Sequence, residues 1–145
     1  MYDQILVPTD GSDGASAALD EAVDLAAAFD ATVHSLYVVD TAAVGSEAGT
    51  VDLVESFEQM GEDAVDAAAT RARDAGVDAT GTVATGSPHR AILDYAADNG
   101  IDLVVMGTHG RTGLERYLLG SITEKVVRTA EMPVLTVRAD EAGDE

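Results

Sequence analysis

The chain has 145 residues, with 27 Asp and Glu against 8 Lys and Arg and a formal net charge of −19. That charge argues against nucleic acid as a partner, since a phosphate backbone attracts basic patches and is repelled by an acidic surface. A hydrophobic share of 46% is enough for a packed core, and the absence of cysteine excludes disulfides, thiol chemistry and Cys-ligated zinc.

No apolar run approaches the ~20 residues of a membrane span. No basic region with an apolar stretch follows Met1, so export by a signal peptide is not expected and the cytoplasm is the expected compartment. Lysine occurs once, at Lys125, against seven arginines. So strong a charge repels itself in dilute buffer, and the repulsion weakens when salt shortens the screening length to about 3 Å near 1 M. Adaptation to a salt-rich cytoplasm is the expectation.

Short β-branched runs alternate with longer helical segments. Ile5-Leu6-Val7 reads as a first strand, stopped by Pro8. Ala15, Ala18, Leu19, Ala22, Val23 and Ala26 recur at helical spacing, with Asp20, Glu21 and Asp24 outside. Thr32 to Val39 reads as the second strand and Thr41 to Thr50 as a long loop able to act as a lid. A helix from about Val51 to Ala75 closes at Gly76.

The third strand, Ala79 to Thr85, is weaker. Ser87-Pro88 then places an N-cap before a proline at the first helical position. That helix is expected to bury Ala91, Ile92, Tyr95 and Ala96 and to end at Asn99-Gly100. Leu103 to Met106 is continuously apolar, as a strand covered on both faces should be. A fourth helix begins near Ser121, and Pro133 to Val137 makes the last strand.

This alternation implies a single α/β domain over residues 1–138, a parallel sheet with helices on both faces, followed by an acidic, frayed tail over 139–145. Ligands of such folds bind beyond the carboxyl ends of the strands, where the strand order reverses.

The segment richest in chemistry runs from Gly107-Thr108-His109-Gly110-Arg111-Thr112-Gly113 to Gly120-Ser121. Its glycines permit positive φ and close backbone approach, so that amides can face an anion. Ser121-Ile122-Thr123-Glu124 has the pattern of a capping box, placing a helix N-terminus at Ser121, where free N–H groups and partial positive charge suit phosphate. Four basic residues (Arg111, Arg116, Lys125, Arg128) and two acidic ones (Glu115, Glu124) make this stretch locally positive. The plainer reading has these arginines pairing with carboxylates of neighbouring helices.

Gly107-x2-Gly110-x9-Gly120-Ser121 matches the G-x2-G-x9-G-[ST] signature of the universal stress protein family. The resemblance extends to Ile5-Leu6-Val7-Pro8-Thr9-Asp10, Tyr37-Val38-Val39-Asp40, Met106 to Gly110, Gly120 to Glu124 and Met132-Pro133-Val134, spanning residues 2 to 138. It implies a Rossmann-like five-stranded parallel sheet of the adenine nucleotide alpha hydrolase type, in order 3-2-1-4-5. It also implies ATP as ligand, with Mg²⁺ or another divalent cation. Carried over by position, Asp10 contacts the ribose and is the candidate for the metal region, with Pro8 and Thr9 beside it. The Val38 backbone meets the adenine edge. Gly107, Gly110, Gly120 and Ser121 surround the phosphates, with Met106, Ile122 and Thr123 nearby. Family members commonly dimerise through the last strand, so a homodimer through Val134 to Val137 is expected; a bare apolar sheet edge invites such pairing.

Other polar residues read more plainly. Asp10 competes with Ser12 for capping the first helix, and Asp40 is expected to face solvent. His109 has no paired nucleophile and reads as loop-shaping or phosphate-adjacent. His34 reads as a sheet residue and His89 as an exposed first-turn residue; the three histidines lack metal-ligand spacing. The chain has no Walker loop and no convincing general base near the glycines, which favours a nucleotide-binding stress or regulatory module over the alternative, a slow ATPase or nucleotide-cleaving enzyme. A phospho-accepting receiver domain fails because the third strand ends Ala84-Thr85 and the last ends Val137-Arg138, without the required aspartate and lysine.

Overall fold

Five parallel strands form one sheet in the order β3-β2-β1-β4-β5. The computed structural model describes residues 2–40, 50–108 and 120–138. The strands are β1 (Gln4–Pro8), β2 (Thr32–Asp40), β3 (Ala79–Gly86), β4 (Leu103–Gly107) and β5 (Val134–Val137). The helices are α1 (Asp13–Phe29), α2 (Thr50–Asp74), α3 (Pro88–Asp98) and α4 (Ser121–Thr129). Of the loop expected over Thr41 to Thr50, Thr50 is the first residue of α2 and the rest lies outside the described residues, as do the stretch 109–119 and the tail over 139–145.

β1 is central, and its side chains alternate between two cores. Ile5 and Val7 join Ala18, Ala22 and Ala26 of α1 and Ala68 and Ala72 of α2 on one face. Leu6 points the other way, into Leu36, Ile92 and Ala96 of α3, Val104 and Val126 of α4. All three β1 residues are essentially inaccessible. Each such side chain contributes about 1.5–3 kcal/mol through removal from water, so the sheet is anchored at its middle.

The buried stripe of α1 is the set that its spacing predicts, with Gly14 added. The Ser12 hydroxyl accepts the Ala15 N–H at 3.2 Å, which settles the capping role in its favour over Asp10. Asp10 instead accepts the Ser12 N–H at 2.9 Å, fixing the turn between β1 and α1. Gly76, at φ 84°, closes the turn after α2 as its position predicts. On α3 the fully buried pair is Ile92 and Ala96, whereas Ala91 and Tyr95 are half-buried. That helix packs against β2, β3 and α4, with Ile92 and Ala96 directed into the core that also holds Leu6 and Leu36.

Ser35 is the one polar residue in the row Val33, Ser35, Tyr37, Val39 that faces α1 and α2. Its hydroxyl is buried, with no hydrogen-bond partner among the described residues. A buried orphan hydroxyl costs about 1–3 kcal/mol. Ser35→Ala should therefore leave stability unchanged or raise it by about 1 kcal/mol in urea unfolding, and a clear loss would show that the hydroxyl is engaged.

Candidate functional site

The β1–β4 junction is where the strand order reverses, and the helices that follow β1 and β4 pack on opposite faces of the sheet. A cavity of about 500 Å³ opens at this point beyond the carboxyl ends of β1, β2 and β4. Pro8, Thr9 and Asp10 line it from β1, Val38 from β2, Met106 and Gly107 from β4, and Gly120, Ser121, Ile122 and Thr123 from the start of α4. Ten of the eleven residues singled out from the sequence are thus brought together by the fold. The eleventh, Gly110, lies outside the described residues, as do His109 and Arg111.

The cavity has two chemical characters. Leu36, Val38, Ile92 and Met106 make an apolar wall suited to a flat ring. Opposite stand Thr9, Asp10 and the first turn of α4, whose amides form a site of partial positive charge. The N-cap of that helix, Gly120, has no side chain to offer it a hydrogen bond.

Local geometry corrects two expectations. Ser121 does not cap α4: the N-cap is Gly120, whose carbonyl accepts the Glu124 N–H at 2.8 Å. The chain enters the helix one residue earlier than the capping-box pattern implies. Gly120 is held by its own N–H, donated to the Thr108 carbonyl. Thr123 is buried, and its hydroxyl donates to the Gly107 carbonyl at 2.9 Å, tying α4 to the end of β4. Ser121, the first residue of α4, lines the cavity and does not serve as the cap.

Positive φ is not what Gly107 and Gly120 supply. Gly120 sits at φ −61°, an ordinary extended conformation, and Gly107 is absent from the positive-φ glycines among the described residues. Gly107 is required by close approach: a Cβ there would stand 2.7 Å from the Gly14 carbonyl oxygen of α1. The glycine lets the end of β4 lie against the first turn of α1, where Gly107 and Ala15 both line the cavity.

Residues beyond the predicted set also line the cavity: Tyr37, Val39 and Asp40 of β2, Phe57 of α2 and Pro88 of α3. Asp40, expected to face solvent, is half-buried at the cavity rim. Tyr37 is buried against α2, where a Cβ on Gly61 would meet its ring at 2.6 Å. The signal that could have found this pair is a glycine within a long Ala-rich helix, with the lone aromatic Phe57 one turn before it. His89 is half-buried and does not line the cavity. Among the described residues there is no group of three or more potential metal ligands and no helix long and apolar enough to cross a membrane.

The model of the universal stress protein family matches residues 1–138. This chain belongs to that family. Universal stress protein MJ0531 of Methanocaldococcus jannaschii is 40% identical over 141 residues, covering 95% of this chain and 83% of its own length. The solved structure of MJ0577 from the same organism superposes with a TM-score of 0.86 at 32% identity, over 97% of this chain and 99% of that one. A universal stress protein solved in complex with cAMP superposes with a TM-score of 0.71 at 28% identity, over 96% and 98% of the two chains. The five-stranded order of this universal stress protein is thus the family's Rossmann-like fold.

Proposed function

We propose that this universal stress protein binds an adenine nucleotide, ATP with Mg²⁺ or another divalent cation, and serves as a cytoplasmic stress-response or regulatory module. One observation carries the reading. The fold gathers an apolar slot, a strand-end carboxylate and a glycine-capped helix N-terminus around one cavity large enough for a nucleoside. The cAMP complex of a relative supports the choice of an adenine nucleotide.

In this reading the purine lies against Val38, Ile92 and Met106, with the Val38 backbone at its edge. Asp10 faces the ribose. The phosphates approach Gly107, Gly120 and Ser121, with Gly110 contributing from the stretch of sequence between them. The cation is held largely by the phosphates, with Asp10 the nearest predicted carboxylate, as befits Mg²⁺ and its few protein ligands. The role proposed is binding, with hydrolysis at most slow. Heat-released extract of the purified protein should show an adenine absorption spectrum or, if the protein purifies empty, MgATP should raise its melting temperature. Neither effect in molar salt would sink the reading.

We further propose a homodimer through Val134 to Val137. Among the described residues β5 is paired only to β4, and Leu135 of β5 is exposed together with Ile122 and Val127 of α4. Salt adaptation is part of the same proposal. In 2 M KCl this chain should sediment as a dimer and melt several degrees higher than in 0.1 M KCl, because screening relieves its self-repulsion. Monomers at micromolar concentration count against the dimer, and a flat melting temperature against the adaptation.

A further inference from the structure

His34 stands in the first half of β2, buried, with both ring nitrogens engaged. Its Nε2 lies 2.6 Å from Gln4 Oε1 of β1, and its Nδ1 lies 2.8 Å from the Tyr95 hydroxyl of α3. A carbonyl oxygen can only accept, so Nε2 carries the proton and Nδ1 accepts from the Tyr95 O–H. The two rings meet edge to face, with centroids 5.6 Å apart and planes at 72°. One imidazole thereby ties three elements together.

Two of those elements, β2 and α3, supply three of the four residues of the cavity's apolar wall. Leu36 and Val38 follow His34 on the same face of β2, and Ile92 lies one turn before Tyr95 on α3. The spacing between β2 and α3 at His34 and Tyr95 thus bears on how Val38 and Ile92 stand beside each other in that wall.

A second proton would disturb this seam. Placed on Nδ1, it would meet the hydrogen of the Tyr95 O–H, and the hydroxyl would have to turn over to accept. Among the described residues no carboxylate is hydrogen-bonded to the ring, and Asp3 and Asp78, just before β1 and β3, are exposed. Leu6 of β1 and Thr80 of β3 flank His34 in register and carry no charge. The Asp102 carboxylate, before β4, is occupied by the N–H groups of Asp3 and Gln4. On α3, Arg90, Asp94 and Asp98 are exposed, and His89 lies at the opposite end of the helix from Tyr95. Tyr95 is thus the titratable side chain that meets the ring.

We propose that His34 and Tyr95 form a proton-operated clamp on the cavity wall, so that nucleotide binding weakens as the surroundings become acidic. The inference rests on the nucleotide reading above and adds its regulation. Burial holds the His34 pKa below its ordinary value of 6.5. Unfolded chains therefore take up the proton first as pH falls. The stabilisation from neutral His34 is complete above about 6.5 and is lost as pH drops through the folded-state value. Nucleotide that favours the clamped, neutral form lowers the proton affinity further, and by reciprocity the proton lowers nucleotide affinity.

The test compares MgATP titrations of the wild-type protein and His34→Gln at pH 7.5 and 5.5 in molar salt; the comparison cancels the nucleotide's own titration. The ratio of wild-type to variant Kd should rise by about threefold or more in acid. The imidazole nitrogen resonances of wild-type His34 give a second readout, independent of whether the variant folds. They should report the Nε2–H form at neutral pH and a titration that moves to lower pH when MgATP saturates the protein. Binding at pH 7.5 with parallel pH curves, or a His34 titration that MgATP leaves unmoved, overturns the clamp alone. No binding at pH 7.5 overturns the nucleotide reading and takes the clamp with it.

Discussion

Gly107→Ala should lower the melting temperature by roughly 5–10 °C, an effect out of scale with one added methyl group. A Cβ at this position would stand 2.7 Å from the Gly14 carbonyl oxygen and 2.8 Å from its carbon. Both are backbone atoms in the first turn of α1, so no side-chain rotation relieves the overlap. The end of β4 and α1 must separate, and overpacking of this kind costs about 1–3 kcal/mol. The disturbance reaches α4 as well, because the Gly107 carbonyl accepts the Thr123 hydroxyl. Thermal unfolding followed by circular dichroism measures the effect. A variant as stable as the parent would show that the two backbones are not held in contact.

Gly120→Val should do the reverse, sparing the fold and removing the ligand. Gly120 has φ −61° and ψ 155°, a conformation open to valine. The stability cost is that of a poorer N-cap, about 1 kcal/mol or less. The branched side chain, however, would stand at the mouth of the α4 first turn, between its amides and an incoming phosphate. Hydrogen bonds to a charged group contribute about 1.5–3 kcal/mol, so MgATP affinity should fall roughly 10- to 100-fold. Calorimetric titration beside a melting curve separates the two effects. Unchanged affinity would place the phosphates elsewhere. Taken together, the two variants distinguish a glycine that holds the scaffold from one that admits the ligand.

The order of elements and the buried face of α1 are legible in the sequence because both are local. Six apolar positions at helical spacing specify which side of α1 meets the sheet, and all six are buried. The runs of β1 and β4 are equally plain, since a parallel strand covered on both faces has to be apolar at nearly every position, whereas the edge strand β3, with no fully buried residue, is fainter. The cavity residues are legible for a related reason: they sit at strand ends and one helix start, and the topology brings those places together.

What local pattern does not reveal is the partner of each residue across the chain. Gly107 looks like an anion-loop glycine, but the neighbour that demands it is Gly14, in the first turn of another helix. Ser121 and Glu124 satisfy a capping-box pattern, yet Gly120 forms the cap while the Thr123 hydroxyl is drawn to Gly107. Tyr37 and Gly61 belong to different elements, and only their packing shows that the ring rests on α2 beside the cavity. His34 looks like an ordinary sheet residue until Gln4 and Tyr95 are seen on its two nitrogens.

The central claim is that the α4 N-terminus and the strand ends together seat an adenine nucleotide despite a net charge of −19. Backbone amide spectra recorded in molar KCl, with and without saturating MgATP, test it most directly. The account predicts shifts concentrated at Thr9, Asp10, Val38, Gly107 and residues 120–123, with the far ends of the strands unchanged. Spectra that superpose at every one of these positions would contradict it.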